Sequence, residues 1–221
     1  MSKISPRDRY PTDLWYSSIL IPLFSPVGEE LFSKSLHRSY DYLNSHFEGQ
    51  EHLSYCGIAC ACILLKSLIP SQEWSQSKIY SNVARYHMSN GIILSKLSHV
   101  LEICGLSSEI RYCEDETIEE QFRKDLKEEK YFIVINYWRQ FQDKDSGHIH
   151  GFGHFSLIGG YNPMTDHVLI LDPSVKRFPH HWLSLKDLVR MMCTYDRMSS
   201  RNRGYLLVHH PNNQFLFHND F

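Results

Sequence analysis

Residues 54–65 read SYCGIACACILL, in which a turn of small residues runs directly into an unbroken apolar stretch. Such a stretch is typical of a buried helix, and the turn places Cys56 at its first residue. Unpaired N–H groups and the helix dipole at that position favour the thiolate, which is the reactive form of cysteine. A buried cysteine is otherwise usually a small hydrophobic side chain, which is our interpretation of Cys60 and Cys62. The segment therefore predicts a buried helix that begins with a reactive thiol.

A histidine and an aspartate stand on two neighbouring apolar segments in the second half of the chain. The segments are GHFSLIGGY at 153–161 and HVLILDP at 167–173, and a turn containing Asn162 and Pro163 separates them. Both read as strands, and the hairpin they form brings His154 close to Asp172. A nucleophile, a base and a group that orients the base are the components of covalent acyl transfer. We therefore predict Cys56, His154 and Asp172 as the catalytic residues.

The periodicity of the chain changes between its two halves. Helices are predicted at 29–44, 56–65, 74–87, 94–104 and 118–129, and a single later helix at 184–193. Strands are predicted at 131–138, 153–161, 167–173 and 204–208, with residues 140–153 as a loop that leads into the base. Helices followed by strands predict an α+β fold, in which the helical first half packs on an antiparallel sheet. Residues 1–24 are predicted to be an N-terminal arm and residues 25–221 one catalytic domain.

The composition is that of an ordinary globular protein and limits the classes of partner. Hydrophobic residues make up 42% of the 221 residues and charged residues 22%, with a formal net charge of −2. This balance offers no basic surface for nucleic acid or an anionic membrane, so we expect a small-molecule partner. The apolar run at 19–24 is too short to span a bilayer, which favours a cytoplasmic protein. Six cysteines are too few for a disulfide scaffold, so reduced thiols are expected.

From about Ser25 to Val208 the sequence resembles the catalytic domain of phytochelatin synthases, which are papain-like glutathione γ-glutamylcysteine dipeptidyltransferases. The resemblance rests on GHFSLIGGYN at 153–162, LILD at 169–172, His181-Trp182, Tyr55-Cys56-Gly57 and SPVGEELF at 25–32. It implies a papain-like fold and cleavage of the Cys–Gly bond of glutathione through a γ-glutamylcysteinyl thioester. The implied products are γ-Glu-Cys and glycine or, with glutathione as the acceptor, short phytochelatins. Such an enzyme serves metal detoxification.

The same resemblance adds residues to the site. Gln50, six residues before Cys56, matches the glutamine of the family's oxyanion hole. Asp196 and Arg203 match the residues that hold the γ-glutamyl group, and we place Gly153 with them as substrate-binding. The chemistry agrees, because a γ-glutamyl end carries a free ammonium and a free carboxylate, which need one anion and one guanidinium. We refer to Asp196 and Arg203 as the γ-glutamyl clamp.

Three departures from the family pattern concern the turn before the nucleophile, the acceptance of a second substrate and the length of the chain. His52-Leu53-Ser54 replaces the usual Glu-Pro-Ala before the nucleophile, and Val175 stands where the family often has arginine, with Lys176 and Arg177 following. The chain also ends soon after the catalytic domain, as in short bacterial forms. That likeness favours cleavage of glutathione over peptide synthesis. No tightly bound cofactor and no protein metal ligands are expected, and Cd or Zn would act through metal–glutathione thiolates.

Two alternatives stay open on the sequence alone. A papain-like protease, deamidase or transglutaminase acting on proteins would use the same three catalytic groups. A thiol-rich metal-binding module would use Cys56, Cys60, Cys62, Cys104 and Cys113, although their spacing lacks the paired ligands of structural zinc sites. The sequence also leaves open whether the protein is a homodimer.

Overall fold

Helices dominate the first half of the chain and strands the second in the computed structural model, which describes residues 19–88, 91–128, 130–142 and 149–210. The α-helices in these ranges are α1 (Pro26–Ser33), α2 (Arg38–Leu43), α3 (Cys56–Leu68), α4 (Gln76–Asn82), α5 (Leu94–Ile103), α6 (Ile118–Lys127) and α7 (Leu185–Met192). The strands are β1 (Ile21–Pro22), β2 (Ser108–Tyr112), β3 (Tyr131–Gln142), β4 (Ile149–Asn162), β5 (His167–Leu171), β6 (His181–Ser184), β7 (Tyr195–Asp196), β8 (Arg201–Asn202) and β9 (Gly204–His209).

Seven of these strands form one antiparallel sheet, in the order β1-β6-β5-β4-β3-β9-β2. The predicted hairpin is present, because β4 pairs directly with β5. On its other side β4 pairs with β3, so that His154 stands opposite Tyr137. Strands β7 and β8 form a separate two-stranded ribbon. The strand that bears His154 therefore lies in the middle of the sheet, where paired neighbours on both sides fix its position.

Both faces of the sheet are covered, because alternate residues of a strand point to opposite sides. On β3, Phe132 and Val134 pack in one core cluster together with α3, whereas Ile133 and Ile135 pack in a second cluster with α6 and α7. Helix α3 is buried almost along its whole length, as expected of a helix that is apolar all round. Each of its large apolar side chains contributes about 1.5–3 kcal/mol by burial. The N-terminus of α3 is thus held firmly against the sheet.

The predicted α+β fold, with a helical first half packed on an antiparallel sheet, is confirmed. The predicted helix at 29–44 is instead two helices, α1 and α2, because Leu36 pairs with Tyr161 of β4 through two backbone hydrogen bonds of 2.8 Å. Five short strands were not predicted, namely β1, β2, β6, β7 and β8. The prediction of a loop over 140–153 is wrong at both ends, since β3 continues to Gln142 and β4 begins at Ile149. Residues 143–148 lie outside the described residues.

The end of the predicted N-terminal arm belongs to the sheet. Ile21 and Pro22 form the edge strand β1, which pairs with β6, and proline is tolerated at such an edge. The domain as described therefore begins before residue 25, while residues 1–18 and 211–221 lie outside the described residues. None of the helices in the described ranges has the length and apolar composition needed to cross a membrane.

Candidate active site

A cleft of roughly 1140 Å³ opens where the N-terminus of α3 meets the sheet. Its lining includes all the predicted site residues except Asp172, namely Gln50, Cys56, Gly153, His154, Asp196 and Arg203. Asp172 lies behind His154 and is fully buried. The fold therefore brings together residues that are spread over about 70% of the chain, from Gln50 to Arg203.

Cys56 is the first residue of α3, as predicted. Its own N–H is one of the groups that a helix leaves without an internal partner, so it is available as a donor. The sulfur accepts hydrogen bonds from the backbone N–H groups of Phe155 and Gly57. Phe155 directly follows His154 on β4, and both Cys56 and His154 line the same cleft.

His154 and Asp172 form a buried pair on the β4–β5 hairpin. His154 Nε2 donates to Asp172 Oδ1 at 2.8 Å, and the backbone N–H of Ser174 donates to the same oxygen at 2.8 Å. With the Nε2 proton directed at the carboxylate, the lone pair of the neutral ring is on Nδ1. Asp172 thus fixes both the orientation and the tautomer of His154. Nδ1 is the ring atom that remains to take up the thiol proton.

Arg139, which the sequence did not single out, is the buried ion-pair partner of Asp172. Its Nη1 donates to Asp172 Oδ2 at 2.6 Å, and the side chains are only 3% and 0% exposed. The guanidinium also lies over the rings of Phe152 and Phe178, at 5.3 and 4.7 Å from their centroids. Arg139 stands two residues after Tyr137 on β3, on the face where Ile133 and Ile135 are buried. That alternation was the available signal that its side chain points inward.

The enclosed network shifts the pKa values of all three catalytic groups. Burial by itself would raise the pKa of Asp172, but Arg139 and His154 hold that pKa below its usual value. Burial lowers the pKa of His154 to about 4, and the positive charge of Arg139 adds to the shift. Burial raises the pKa of the Cys56 thiol, against the opposing effects of the Phe155 N–H and Arg139. Burial thus opposes the predicted thiolate at Cys56, whereas the Phe155 N–H and the Arg139 charge favour it.

Gln50 lines the cleft, but its amide is engaged by the backbone. Nε2 donates to the carbonyl oxygens of His52 at 2.8 Å and Leu53 at 3.0 Å, while Oε1 is buried without a partner. Its backbone N–H donates to the Pro173 carbonyl at 2.8 Å, which ties this segment to the end of β5. To act as an oxyanion donor, the amide has to leave the two carbonyls. The engaged carbonyls belong to the His52-Leu53-Ser54 segment, where the sequence departs from the family pattern.

The γ-glutamyl clamp sits on the β7–β8 ribbon and the strand that follows it. Arg203 is buried, and its Nη1 donates to Thr194 Oγ1 at 3.1 Å and to the Tyr195 carbonyl at 2.8 Å. Its guanidinium stacks on Trp138, with 4.9 Å between Cζ and the ring centroid. Asp196 accepts hydrogen bonds from the Met198 N–H at 3.1 Å and the Ser199 hydroxyl at 3.2 Å. Both charged groups are thus fixed in place by their surroundings.

One edge of the Arg203 guanidinium, formed by Nε and Nη2, makes no short hydrogen bond within the described residues, and we refer to it as the open edge. Nε is buried without a hydrogen-bond partner, and Nη2 makes only a long contact of 3.7 Å with Asp196 Oδ1. A methyl group added to Gly153 would lie 3.2 Å from both Nε and Nη2, so the glycine leaves room beside this edge. Two parallel N–H groups at an open edge are the geometry that binds a carboxylate through two hydrogen bonds. The pocket beside Gly153 therefore contains two charged groups. One is the open edge of the Arg203 guanidinium, and the other is the carboxylate of Asp196.

The other cysteines of the thiol-rich alternative do not converge. Cys60 and Cys62 are fully buried inside the α3 core, where burial raises the pKa of Cys62 to about 12. No group of three or more His, Cys, Asp or Glu side chains that could hold a metal ion occurs within residues 19–88, 91–128, 130–142 and 149–210. The described geometry therefore gives no support to the metal-binding module.

Comparison with known proteins finds one family over most of the chain. Residues 13–205 match the family model described as "Phytochelatin synthase". A protein of Arabidopsis thaliana named "Glutathione gamma-glutamylcysteinyltransferase 2" is 27% identical over 205 residues, which cover 85% of this chain and 44% of that protein. The protein of Schizosaccharomyces pombe named "Glutathione gamma-glutamylcysteinyltransferase" is 26% identical over 206 residues, covering 83% and 47%. The chain thus spans less than half the length of these curated relatives.

Among solved structures, a double glycine motif protease from an AMS/PCAT transporter, in complex with the leader peptide, is similar with a TM-score of 0.45 and 16% identity. The similarity covers 73% of this chain and 88% of the protease chain.

Proposed function

The chain belongs to the phytochelatin synthase family, and we propose that it cleaves the Cys–Gly peptide bond of glutathione through a thioester on Cys56. The γ-Glu-Cys unit then passes to water or to the amine of a second glutathione. The observation that carries the proposal is one cleft that holds both a thiol–imidazole–carboxylate arrangement and the open edge of Arg203 beside Asp196. The names of the curated relatives support the same substrate and the same transferred group.

The γ-glutamyl end of glutathione is a zwitterion that matches the clamp. Its α-carboxylate accepts hydrogen bonds from Nε and Nη2 of Arg203. Its α-ammonium donates hydrogen bonds to the carboxylate of Asp196. In the free protein these two charged groups face each other at 3.7 Å, beyond a normal hydrogen bond. Binding of the zwitterion gives each a direct partner. Burial lowers the pKa of Arg203, because the charged guanidinium has lost contact with water. A carboxylate bound beside it offsets part of that free-energy cost.

Acylation of Cys56 is the first step of the proposed reaction. His154 Nδ1 accepts the Cys56 proton as the sulfur attacks the Cys–Gly carbonyl, and the Cys56 N–H stabilises the developing oxyanion. Gln50 becomes a second oxyanion donor once its amide leaves the carbonyls of His52 and Leu53. The imidazolium, stabilised by Asp172, then donates its proton to the departing amine of glycine. The products of this step are glycine and the γ-glutamylcysteinyl thioester.

The second step decides between hydrolysis and chain growth. Water attack yields γ-Glu-Cys, whereas attack by the amine of a second glutathione yields a peptide longer by one γ-Glu-Cys unit. We propose that hydrolysis dominates, because Val175 stands where the family often has an arginine that could pair with a second glutathione. In this proposal Cd²⁺ or Zn²⁺ enters as part of the substrate, bound to glutathione thiols. A site that excludes water and holds the second amine would favour transfer.

A protein-directed protease is the weaker candidate. An internal peptide bond offers neither a free ammonium nor a free carboxylate, so the buried edge of Arg203 would stay without a partner. An unsatisfied charged donor of this kind costs more than an ordinary unsatisfied amide. The clamp geometry therefore favours the γ-glutamyl substrate.

The test is incubation with glutathione, with and without Cd²⁺ or Zn²⁺, followed by mass spectrometry of the products. We expect release of glycine with an equal amount of γ-Glu-Cys, and longer peptides only as a minor product. The matched control is glutathione with its γ-glutamyl amine acetylated, which cannot pair with Asp196. Equal cleavage of the acetylated analogue, or faster cleavage of a general peptide pool, would reject the proposal.

A further inference from the structure

Two thiols that the proposed mechanism does not use lie directly behind the γ-glutamyl clamp. Cys113 follows β2, and its N–H donates to the Arg203 carbonyl at 2.8 Å. The carbonyl of Cys113 in turn accepts from Asn202 Nδ2 at 2.7 Å. Cys193 ends α7 and immediately precedes Thr194, which holds the guanidinium of Arg203. Each cysteine is thus one step in the chain or one hydrogen bond away from the clamp.

Backbone pairing brings the two cysteines to the same place. The N–H of Arg203 donates to the Thr194 carbonyl at 3.0 Å, so the backbone of Arg203 joins the segments of both cysteines. The two thiols are hydrogen-bond partners of each other. Cys113 is only 3% exposed, whereas Cys193 is exposed to solvent. A reagent in solution can therefore reach the Cys193 thiol, whereas the Cys113 thiol is buried beneath it.

We propose that Cys113 and Cys193 form a reversible disulfide that links the two sides of the γ-glutamyl clamp, with a glutathione-type disulfide as the oxidant. The disulfide itself requires only the geometry of the two thiols. Its effect on glutathione binding rests on the proposed function.

The reaction is two successive thiol–disulfide exchanges. The Cys193 sulfur, after losing its proton, attacks one sulfur of oxidised glutathione, and the other half leaves as a thiolate that takes up a proton. The Cys113 sulfur then attacks the Cys193 sulfur, breaks the mixed disulfide and expels the second glutathione. Both protein thiols are oxidised, and one glutathione disulfide is reduced to two glutathione molecules. Excess glutathione drives the same steps in reverse.

Solvent exposure assigns the order of the two steps, because only Cys193 can meet an oxidant from solution. The hydrogen bond from Cys113 lowers the pKa of Cys193, which makes the exposed thiol the first nucleophile. The same hydrogen bond, followed by burial, raises the pKa of Cys113. After Cys193 is capped, the hydrogen bond to a Cys193 thiolate no longer exists, and the largest cause of the raised pKa is gone. Cys113 thus becomes a competent attacking group only when a mixed disulfide is present.

Closing the bond alters the clamp through Thr194. A disulfide joins its sulfurs at about 2.05 Å, much closer than two hydrogen-bonded thiols. Drawing Cys193 toward Cys113 moves Thr194, whose hydroxyl and carbonyl both accept from Arg203 Nη1, at 3.1 and 3.3 Å. We expect the disulfide form to bind the γ-glutamyl zwitterion at least about fivefold more weakly, the lower range of typical coupling between sites.

The test uses Cys56→Ser protein, so that the catalytic thiol takes no part. The protein is equilibrated with mixtures of oxidised and reduced glutathione, alkylated and mapped by mass spectrometry after proteolysis. We expect a peptide cross-link between Cys113 and Cys193, full reversal by reduced glutathione, and a rise in unfolding temperature on the order of 5–10 °C for a loop of this length. Calorimetric titration with S-methylglutathione then compares the affinity of the reduced and cross-linked forms.

Cys193→Ser in the same background removes the exposed partner without touching the core, and should show neither cross-link nor redox-dependent affinity. Cys104→Ser, which alters a half-buried cysteine elsewhere, is the matched control and should behave like the parent. Accumulation of glutathione on Cys193 without a cross-link would overturn the disulfide. A cross-link that leaves the affinity for S-methylglutathione unchanged would overturn the coupling to the clamp. If neither form binds S-methylglutathione but the cross-link still appears, the proposed function fails and the disulfide stands.

Discussion

Replacing Arg139 by glutamine removes the positive charge from the buried network behind the thiol. Arg139 and Asp172 are 3% and 0% exposed and joined at 2.6 Å, so the substitution leaves a carboxylate charge in an apolar enclosure. Removing one partner of a buried pair typically costs 3–5 kcal/mol, and Asp172 keeps the His154 and Ser174 donors. We therefore expect the free energy of unfolding of Arg139→Gln at pH 7 to fall by about 3 kcal/mol, the lower end of that range.

The measurement is equilibrium unfolding in urea, with Arg111→Gln as the matched control. Arg111 pairs with Glu109 at 2.7 Å, but the side chains are 37% and 41% exposed, so the control should lose no more than about 1 kcal/mol. A second measurement is the pH dependence of kcat/KM for glycine release. The charge of Arg139 helps to lower the pKa of His154, so its loss raises that pKa. Activity requires the neutral ring, and the acid limb of the profile should therefore move to higher pH.

The two measurements separate a structural role of Arg139 from its effect on the base. An Arg139→Gln protein as stable as Arg111→Gln would show that Asp172 does not depend on the guanidinium. An unmoved acid limb in a destabilised variant would show that Arg139 supports packing alone. Either result refutes part of the reasoning from the 2.6 Å contact.

Four further outcomes are expected. Cys56→Ala should abolish glycine release with an intact fold, as judged by circular dichroism, whereas Cys60→Ala should retain turnover. Asp172→Asn should lower kcat by orders of magnitude, about 10⁴-fold in the comparable serine-protease case, and near-normal turnover would show that another group orients the base. Arg203→Ala should reduce kcat/KM for glutathione by the equivalent of about 2–5 kcal/mol, and Arg203→Lys should restore only part of it because an ammonium lacks the two-pronged edge. Burial lowers the pKa values of His154, His180 and His181 to about 4 in the folded protein. Below pH ~6.5 these histidines bind protons in the unfolded chain but not in the folded one, so the unfolding temperature should fall between pH ~6.5 and ~4. An unfolding temperature that stays constant over this pH range would contradict the three pKa shifts.

The elements predicted correctly are those whose own periodicity is strong. The apolar run of α3 and the alternating strands β3, β4 and β5 carry enough local signal to be recognised alone. Strand β2 lacks that signal, since all its residues are half-buried and its structure comes from pairing with β9, which lies nearly a hundred residues away. The edge strand β1 has only two residues, one of them proline. Such strands are specified by their neighbours rather than by their sequence.

In the candidate site, too, the residues in distinctive local sequences were predicted, whereas contacts between distant segments were not. Cys56, His154 and Asp172 stand in recognisable local sequences, and one hairpin connects two of them. Arg139 is separated from Asp172 by 33 residues and reads as an ordinary charge near the end of a strand. The state of the Gln50 amide was equally inaccessible, because it depends on the backbone path of the two residues it contacts. Long-range pairing and side-chain orientation are what the sequence did not reveal.

The opposite environments of Cys56 and Cys193 explain how one protein can keep a catalytic thiol and a redox-sensitive thiol apart. A helix N-terminus favours a thiolate by only about 0.3–1 kcal/mol when exposed. At Cys56 burial opposes this preference and raises the pKa of the thiol. Cys193 is exposed and its pKa is lowered by Cys113, so a disulfide oxidant in solution meets the more reactive thiol first. The proposed substrate is itself a thiol whose oxidised form is a disulfide. The proposed disulfide between Cys113 and Cys193 would therefore respond to the redox state of glutathione without involving Cys56.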